Sequence, residues 1–100
     1  MAKAFFGNDL DDAQCAWMCE RMTPEAPGLL TEPVDLRPLR SGMPRTWVRP
    51  VRDAIVNPEE QLRFARTAGD CEVIDLDAGH MCMISKPREL AAIITGFAGH

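Results

Sequence analysis

The chain has 100 residues, of which 46% are hydrophobic, and its 15 acidic and 11 basic side chains give a formal charge of −4. This length supports one domain with a modest core, and the hydrophobic share excludes a disordered protein. Because the charge is mildly acidic and the sequence has neither a membrane-length apolar run nor a secretion signal, we expect a cytoplasmic protein without nucleic-acid or membrane partners.

The stretch NDLDDAQCAWMCERM predicts a helix from about Asp12 to Met22. Asp11 and Gln14 have the spacing of a capping box, in which two side chains accept hydrogen bonds from backbone N–H groups of the first turn. Apolar residues then recur at the i, i+3, i+4 and i+7 positions of one helix face, namely Cys15, Met18, Cys19 and Met22. We expect this face to pack in the core.

The four cysteines are Cys15, Cys19, Cys71 and Cys82. An even number allows two disulfides, but apolar neighbours and the lack of a secretion signal favour free thiols. A zinc site needs four well-placed ligands, and no histidine is close in sequence to Cys15 and Cys19. We therefore expect neither a metal nor a cofactor.

The region 23–44 is rich in proline and glycine, with Pro24, Pro27, Gly28, Pro33, Pro38, Gly42 and Pro44. Each proline removes a backbone donor and disfavours helix at the preceding residue. We expect an extended connector that packs over other elements, with a short turn near Leu36 to Leu39. The boundary between residues 1–44 and 45–100 then separates two parts of one compact domain.

Strand and helix patterns alternate from residue 45 onward. RTWVRPV predicts a strand from Arg45 to Val51, and CEVIDL predicts a second strand from Cys71 to Leu76. Between them, NPEEQLRFARTAG has the punctuation of a helix. Its expected features are Asn57 as N-cap, Pro58 at N1, Glu60 at N3, Gly69 at the end, and a buried stripe of Leu62, Ala65 and Ala68 flanked by Phe64.

A last helix is predicted from about Pro87 to Phe97, with apolar positions at Leu90, Ile93, Ile94 and Phe97 and an exposed terminal His100. The order strand, helix, strand, helix predicts an α/β fold in which the two strands pair in parallel through a right-handed crossover. Parallel sheets usually have several strands and covered faces. The chain therefore resembles one edge of a larger sheet.

The loops that follow the two predicted strands carry the candidate functional residues. In open α/β sheets, chemistry gathers at the carboxyl ends of the strands, and these loops contain Asp53 and His80. An aspartate that accepts from one ring nitrogen fixes the tautomer of the imidazole, and the other nitrogen then acts as a general base. The alternative is a buried, hydrogen-bonded loop histidine with a turn-capping aspartate.

The stretches RTWVRPVRDAIVNPEEQ and DLDAGHMCMISKPRELAAII resemble the C-terminal part of α/β-hydrolase-fold enzymes, in particular the group with plant methyl-ester esterases, hydroxynitrile lyases and bacterial relatives. FFGNDLDDAQCAWMCERMTPEAP is similar to the end of that family's helical cap. The resemblance implies a partial α/β-hydrolase fold, with residues 1–44 as cap end and connector and 45–100 as the C-terminal unit. It makes Asp53 the triad acid and His80 the triad base, after a glycine that permits a tight turn.

The chain departs from the family in lacking a GxSxG nucleophile elbow, and its serines are only Ser41 and Ser85. Ser41 lies in the connector, Ser85 is expected to cap the last helix, and Cys82 is too near His80 to attack a shared site. A base and its acid cleave esters poorly without a nucleophile and oxyanion donors. We therefore expect little or no activity from the chain alone.

Three interpretations follow. The chain is the back part of an esterase for a small apolar ester, with a complementary N-terminal hydrolase half as its partner. Alternatively, it is a non-catalytic module that forms a homo-oligomer through its open sheet edge. The third is a lyase on the same scaffold.

The basic window 37–52 contains Arg37, Arg40, Arg45, Arg49 and Arg52 and no acid. An anion-binding patch would need support from a nucleic-acid module or from interleaved aromatic residues, and neither is present. We expect these arginines to form a solvated surface or to pair with acids of the first third of the chain.

Overall fold

A computed structural model describes residues 2–40, 42–69 and 71–98. Two predictions fall outside these ranges: the position of Ser41 in the connector and the exposure of His100. The helices are α1 (Ala2–Phe6), α2 (Asp12–Arg21), α3 (Gly28–Thr31), α4 (Pro58–Thr67), α5 (Cys82–Ser85) and α6 (Pro87–Ala98), with a 3-10 turn at Arg37–Arg40; the strands are β1 (Thr46–Pro50) and β2 (Glu72–Leu76).

The two strands pair in parallel, with register from Thr46 opposite Glu72 to Pro50 opposite Leu76. Helix α4 is the crossover between them, so the predicted strand–helix–strand unit and the mixed α/β class are confirmed. Successive side chains of β1 point to opposite faces of the sheet. Trp47 donates to Gln61 of α4, whereas Val48 packs beside Leu90 and Ile93 of α6.

Both predicted helix N-caps are confirmed. Asp11 and Gln14 form the complete capping box of α2, and the Asn57 side chain accepts from the Glu60 N–H at the start of α4.

The buried stripe of α4 differs from the prediction. Gln61 and Ala65 are buried, Leu62 and Ala68 are half-buried, and Phe64 is exposed. The polar Gln61 is buried because its amide forms hydrogen bonds with three partners on β1 and the loop that follows it.

The core consists of two small clusters. The first joins Leu10, Cys15 and Met18, and the second joins Leu76, Ala78 and Cys82. The predicted apolar face of α2 is therefore only half buried, because Cys19 and Met22 are exposed. Helix α6 behaves similarly: Leu90 and Ile93 pack on the second cluster, but Ile94 and Phe97 are exposed.

The connector does not pack over the rest of the described chain as expected. Leu29 and Leu30 in α3, then Val34 and Met43, are exposed apolar side chains. The whole chain presents 7426 Å² of accessible surface, whereas a compact protein of 11.1 kDa presents about 5,700 Å². The surplus of roughly 1,800 Å² includes the apolar side chains just named, which are exposed in the described part of the chain. No helix in the described ranges is both long and apolar enough to cross a bilayer.

Gly69 closes α4 with a φ of 104°, and a Cβ there would lie 2.7 Å from Arg45 Nη2. We expect Gly69→Ala to lower the free energy of unfolding by about 1–3 kcal/mol, because alanine is strained at this φ. Gly96 in α6 is the matched control, since a Cβ there meets nothing within 4 Å. Gly96→Ala should raise stability by about 0.5–1 kcal/mol. Urea unfolding measures both, and shifts of the same sign would contradict this account.

Candidate active site

The loops after β1 and β2 leave the same edge of the sheet and remain hydrogen-bonded to each other. The Val51 N–H donates to the Leu76 carbonyl over 3.0 Å, and the Arg52 N–H donates to the Ala78 carbonyl over 2.9 Å. These bonds continue the strand pairing beyond the strand ends. As a result, Asp53, one residue beyond Arg52, and His80, two residues beyond Ala78, are brought together.

The sequence-predicted pair is in hydrogen-bond contact: His80 Nδ1 lies 2.8 Å from Asp53 Oδ2. Asp53 is buried, with 9% of the residue exposed. Its other oxygen, Oδ1, accepts the N–H groups of Ile55 and Val56 over 2.8 and 3.0 Å. The acid therefore closes its own turn and holds the imidazole at the same time.

The environment keeps Asp53 ionised. Burial alone would raise the pKa of this carboxyl. The hydrogen bond with His80, the N–H groups of Val56 and Ile55 and the positive charge of a protonated ring outweigh that effect, so the pKa lies below its ordinary value. A buried carboxylate that is ionised at neutral pH can only accept hydrogen bonds, so the shared proton resides on His80 Nδ1.

The ring of His80 is accessible, with 33% of its side chain exposed. Phe6 of α1 lies against it edge to face, with ring centroids 5.7 Å apart. Because Nδ1 carries the proton, Nε2 carries a lone pair, and no hydrogen bond reaches Nε2 from any residue that the structure describes. The geometry is that of an oriented imidazole able to accept a proton from a neighbouring group.

Gln61 fixes the loop that carries Asp53. Its Nε2 donates to the Pro50 and Val56 carbonyls over 3.0 and 2.9 Å, and its Oε1 accepts from Trp47 Nε1 over 3.3 Å. One amide of α4 therefore connects both ends of the loop. Sequence reasoning missed this residue because glutamine is polar, although its position four residues before Ala65 lies on the buried face of the helix.

Asn8 and Asp9, which the sequence analysis also missed, contact both loops from the turn between α1 and α2. Gly79, which the resemblance links to a tight turn before His80, has no positive φ; among the described glycines, positive φ angles occur at Gly42 and Gly69. A Cβ at Gly79 would instead lie against Asn8 Oδ1 and 2.6 Å from Asp9 Oδ1. A side chain at position 79 would therefore displace the Asn8 and Asp9 side chains of the neighbouring turn.

Neither candidate nucleophile in the described chain is suited to the task. Ser85 is the last residue of α5 and not a cap of the last helix, and its hydroxyl oxygen is buried without a hydrogen-bond partner in the described residues. Burial raises the pKa of the Cys82 thiol, and the negative charges of Asp9 and Asp53 raise it further. Cys82 therefore stays protonated and enclosed.

The arginines of the basic window have partners within the chain. Arg37 pairs with Asp35, Arg49 with Asp75, and Arg52 with Asp77, while Arg45 donates to the Ala68 carbonyl. Their acids lie in the connector and in or after β2, not in the first third of the chain as expected. The Arg40 side chain lies outside the described part. Most of the window is thus neutralised locally.

All four cysteines are free thiols. In the described ranges, no group of three histidine, cysteine, aspartate or glutamate residues is placed to hold a metal ion.

A comparison of the chain with protein-family models finds no match, and a comparison with curated proteins finds none. The Asp53–His80 geometry, together with the two sequence stretches that carry it, is therefore the basis for assigning a function.

Proposed function

We propose that this chain carries the acid and base of a carboxylic-ester hydrolase of the α/β-hydrolase type, in a partial form of that fold. The observation that carries the proposal is the 2.8 Å contact between His80 Nδ1 and Asp53 Oδ2. Both oxygens of the buried acid accept hydrogen bonds, and the His80 side chain is one-third exposed, with Nε2 unbonded among the described residues. The likeness of the stretches around both residues to α/β-hydrolases supports the same conclusion.

In this chemistry, Nε2 of His80 takes the proton of a hydroxyl nucleophile as its oxygen attacks the ester carbonyl. The same nitrogen returns the proton to the departing alkoxide, and an acyl-enzyme remains. His80 then deprotonates the water that releases the acid. Asp53 keeps the ring in the required tautomer and stabilises the imidazolium that forms twice in the cycle.

The nucleophile and the oxyanion donors would be supplied by residues outside these 100, because neither serine of the chain lies in a GxSxG elbow. A complementary N-terminal hydrolase half would provide both. The exposed edge of the parallel pair and the surplus surface are compatible with such a partner.

A small apolar ester is the substrate class that the surroundings of His80 favour. An apolar groove of about 230 Å³ is lined by Trp17, Met18, Arg21, Met22, Met81 and Ile84. Met81, the residue after His80, is one of the lining residues, and His80 itself is not. Methionine and tryptophan side chains provide adaptable apolar contact for a short acyl or alcohol group.

The test is hydrolysis of p-nitrophenyl acetate, an ester reactive enough to report a base without its nucleophile. We expect slow hydrolysis above the buffer rate, and we expect His80→Ala to remove that excess because the ring at position 80 supplies it. His100→Ala is the matched control, since it removes the other histidine. Equal rates for the unmodified chain and His80→Ala would eliminate catalysis by this chain.

The surplus of roughly 1,800 Å² of surface favours a second candidate, a non-catalytic module that assembles as a homo-oligomer. Stable interfaces bury about 800 Å² per partner, which the surplus exceeds. Sedimentation equilibrium distinguishes the cases. A mass of 11.1 kDa at all concentrations would rule out self-assembly, and an oligomer that is inactive on the ester would favour this candidate over the first.

A further inference from the structure

We infer that Asn8 and Asp9 are positioning residues, which hold the loops of Asp53 and His80 at the separation that proton transfer requires. The inference rests on the proposed function, because it concerns the same acid and base. It adds to that function a part of the chain for which the sequence predicted no role. The two residues are neighbours in the turn that joins α1 to α2, and each is bonded to a different loop.

Asn8 holds the loop of the acid. Its Nδ2 donates to the Arg52 carbonyl over 2.7 Å, and Arg52 immediately precedes Asp53. The Arg52 N–H donates in turn to the Ala78 carbonyl on the other loop. The peptide before the acid is therefore fixed from both of its sides, once by the second loop and once by the Asn8 side chain.

Asp9 holds the loop of the base. Its Oδ2 accepts the Gly79 N–H over 2.7 Å, and Gly79 immediately precedes His80. Phe6, at the end of α1, lies against the His80 ring itself. The same turn thus orients the backbone before His80 and limits the motion of the ring, which remains free on its Nε2 side.

The bonding pattern of Asp9 argues for orientation over stability. Its second oxygen, Oδ1, is buried and has no hydrogen-bond partner among the described residues. An unsatisfied buried acceptor destabilises a fold by about 1–3 kcal/mol. The Asp9 carboxylate therefore carries a cost in stability, and the bond that it does make is to the N–H of Gly79, the residue before the base.

The test uses the full chain labelled with ¹⁵N and observes the downfield proton on His80 Nδ1. This resonance is visible only while Asp53 and His80 stay bonded and protected from exchange with water. Asp9→Ala should speed the exchange of this proton by about tenfold or more, the factor expected from losing one net hydrogen bond. Asp9→Asn should retain the slow exchange, because its amide oxygen can still accept from Gly79.

Asp12→Ala is the control, since Asp12 is an exposed acid on α2 whose partner is Lys3. It should leave the exchange rate unchanged. A folded Asp9→Ala chain with the unmodified exchange rate would overturn the inference. If that variant fails to fold, Asn8→Ala decides, because Asn8 is exposed and we expect its truncation to leave the core intact; an unchanged rate there would overturn the inference equally.

The outcomes of this test are separable from those of the ester assay. Accelerated exchange in Asp9→Ala together with equal ester rates for the unmodified chain and His80→Ala would refute the hydrolase proposal and keep the positioning contacts. An unchanged exchange rate together with His80-dependent hydrolysis would refute the positioning role and keep the hydrolase proposal.

Discussion

Asp53→Asn is expected to leave the chain folded and to reverse the tautomer of His80. The amide oxygen of asparagine can still accept the Ile55 and Val56 N–H groups, as Oδ1 of Asp53 does. Its NH₂ group then replaces Oδ2 and donates toward Nδ1. Since Nδ1 must become an acceptor, the ring proton moves to Nε2, and the base can no longer take a proton from a nucleophile.

The ¹⁵N shifts of the two ring nitrogens measure this reversal directly. If the proposed N-terminal hydrolase half supplies the nucleophile, we expect the complex to lose about 10⁴-fold in the rate of ester cleavage, as for the corresponding change in a serine–histidine–aspartate triad. Asp77→Asn is the matched control, because Asp77 is an exposed acid on the loop of His80 that pairs with Arg52. A ring that stays protonated on Nδ1 in Asp53→Asn would refute the assigned roles.

Asp53→Ala is expected to lower the free energy of unfolding by about 2–4 kcal/mol. The change removes three hydrogen bonds and leaves the N–H groups of Ile55 and Val56 and the His80 ring without their acceptor. A chain of this size is stable by only about 5–15 kcal/mol, so the loss is large. Urea unfolding followed by circular dichroism measures it, with Asp77→Ala as an exposed control expected to change stability by less than about 1 kcal/mol.

The destabilisation by Asp53→Ala should depend on pH in a defined direction. The folded chain holds the pKa of Asp53 below its ordinary value of 3.8, so the unfolded chain takes up the proton first as the pH falls. The contribution of the ionised acid is therefore complete above the unfolded value and is lost as the pH falls through the folded value. The stability difference between the unmodified chain and Asp53→Ala should narrow from pH 6 to pH 3. A difference that stays constant would contradict the lowered pKa.

The parts of the fold that the sequence predicted are those set by local chemistry. The caps at Asp11 and Asn57 depend on side chains three residues from the amides that they satisfy. The parallel pair follows from the general rule for strand–helix–strand units. The meeting of Asp53 and His80 was predictable because parallel strands deliver the loops after their carboxyl ends to one edge.

The parts that escaped prediction depend on contacts between distant segments. The bond from Gly79 to Asp9 spans 70 residues, and no local pattern indicates it. Gln61 is buried because three partners on β1 and the following loop satisfy its amide. Helix α5 has only four residues, too few for a periodic signal. Ser85 therefore ended that helix instead of capping the next one.

The connector illustrates a different limit of sequence reasoning. Prolines and glycines predicted an extended segment with a turn near residues 36–39; a 3-10 turn forms at Arg37–Arg40, whereas helix α3 at Gly28–Thr31 was not predicted. The segment was also expected to pack over other elements, yet Leu29, Leu30 and Val34 are exposed in the described chain. Hydrophobicity indicates that a surface favours burial, but it does not specify whether the covering residues belong to the same chain.

The alignment of β1 with β2 determines whether the candidate acid and base meet, so it matters for every variant of these two strands. Arg49 and Asp75 are opposite each other in the register, and their two charge-assisted bonds of 2.7 and 2.9 Å exist only in that alignment. Sliding one strand by two residues would preserve the faces but shift Asp53 against His80 by about 6.6 Å. The 2.8 Å bond between them cannot survive such a displacement. The ion pair of Arg49 with Asp75, one residue inside the strand ends, therefore helps to set the strand register. That register in turn determines whether Asp53 and His80 can form their hydrogen bond.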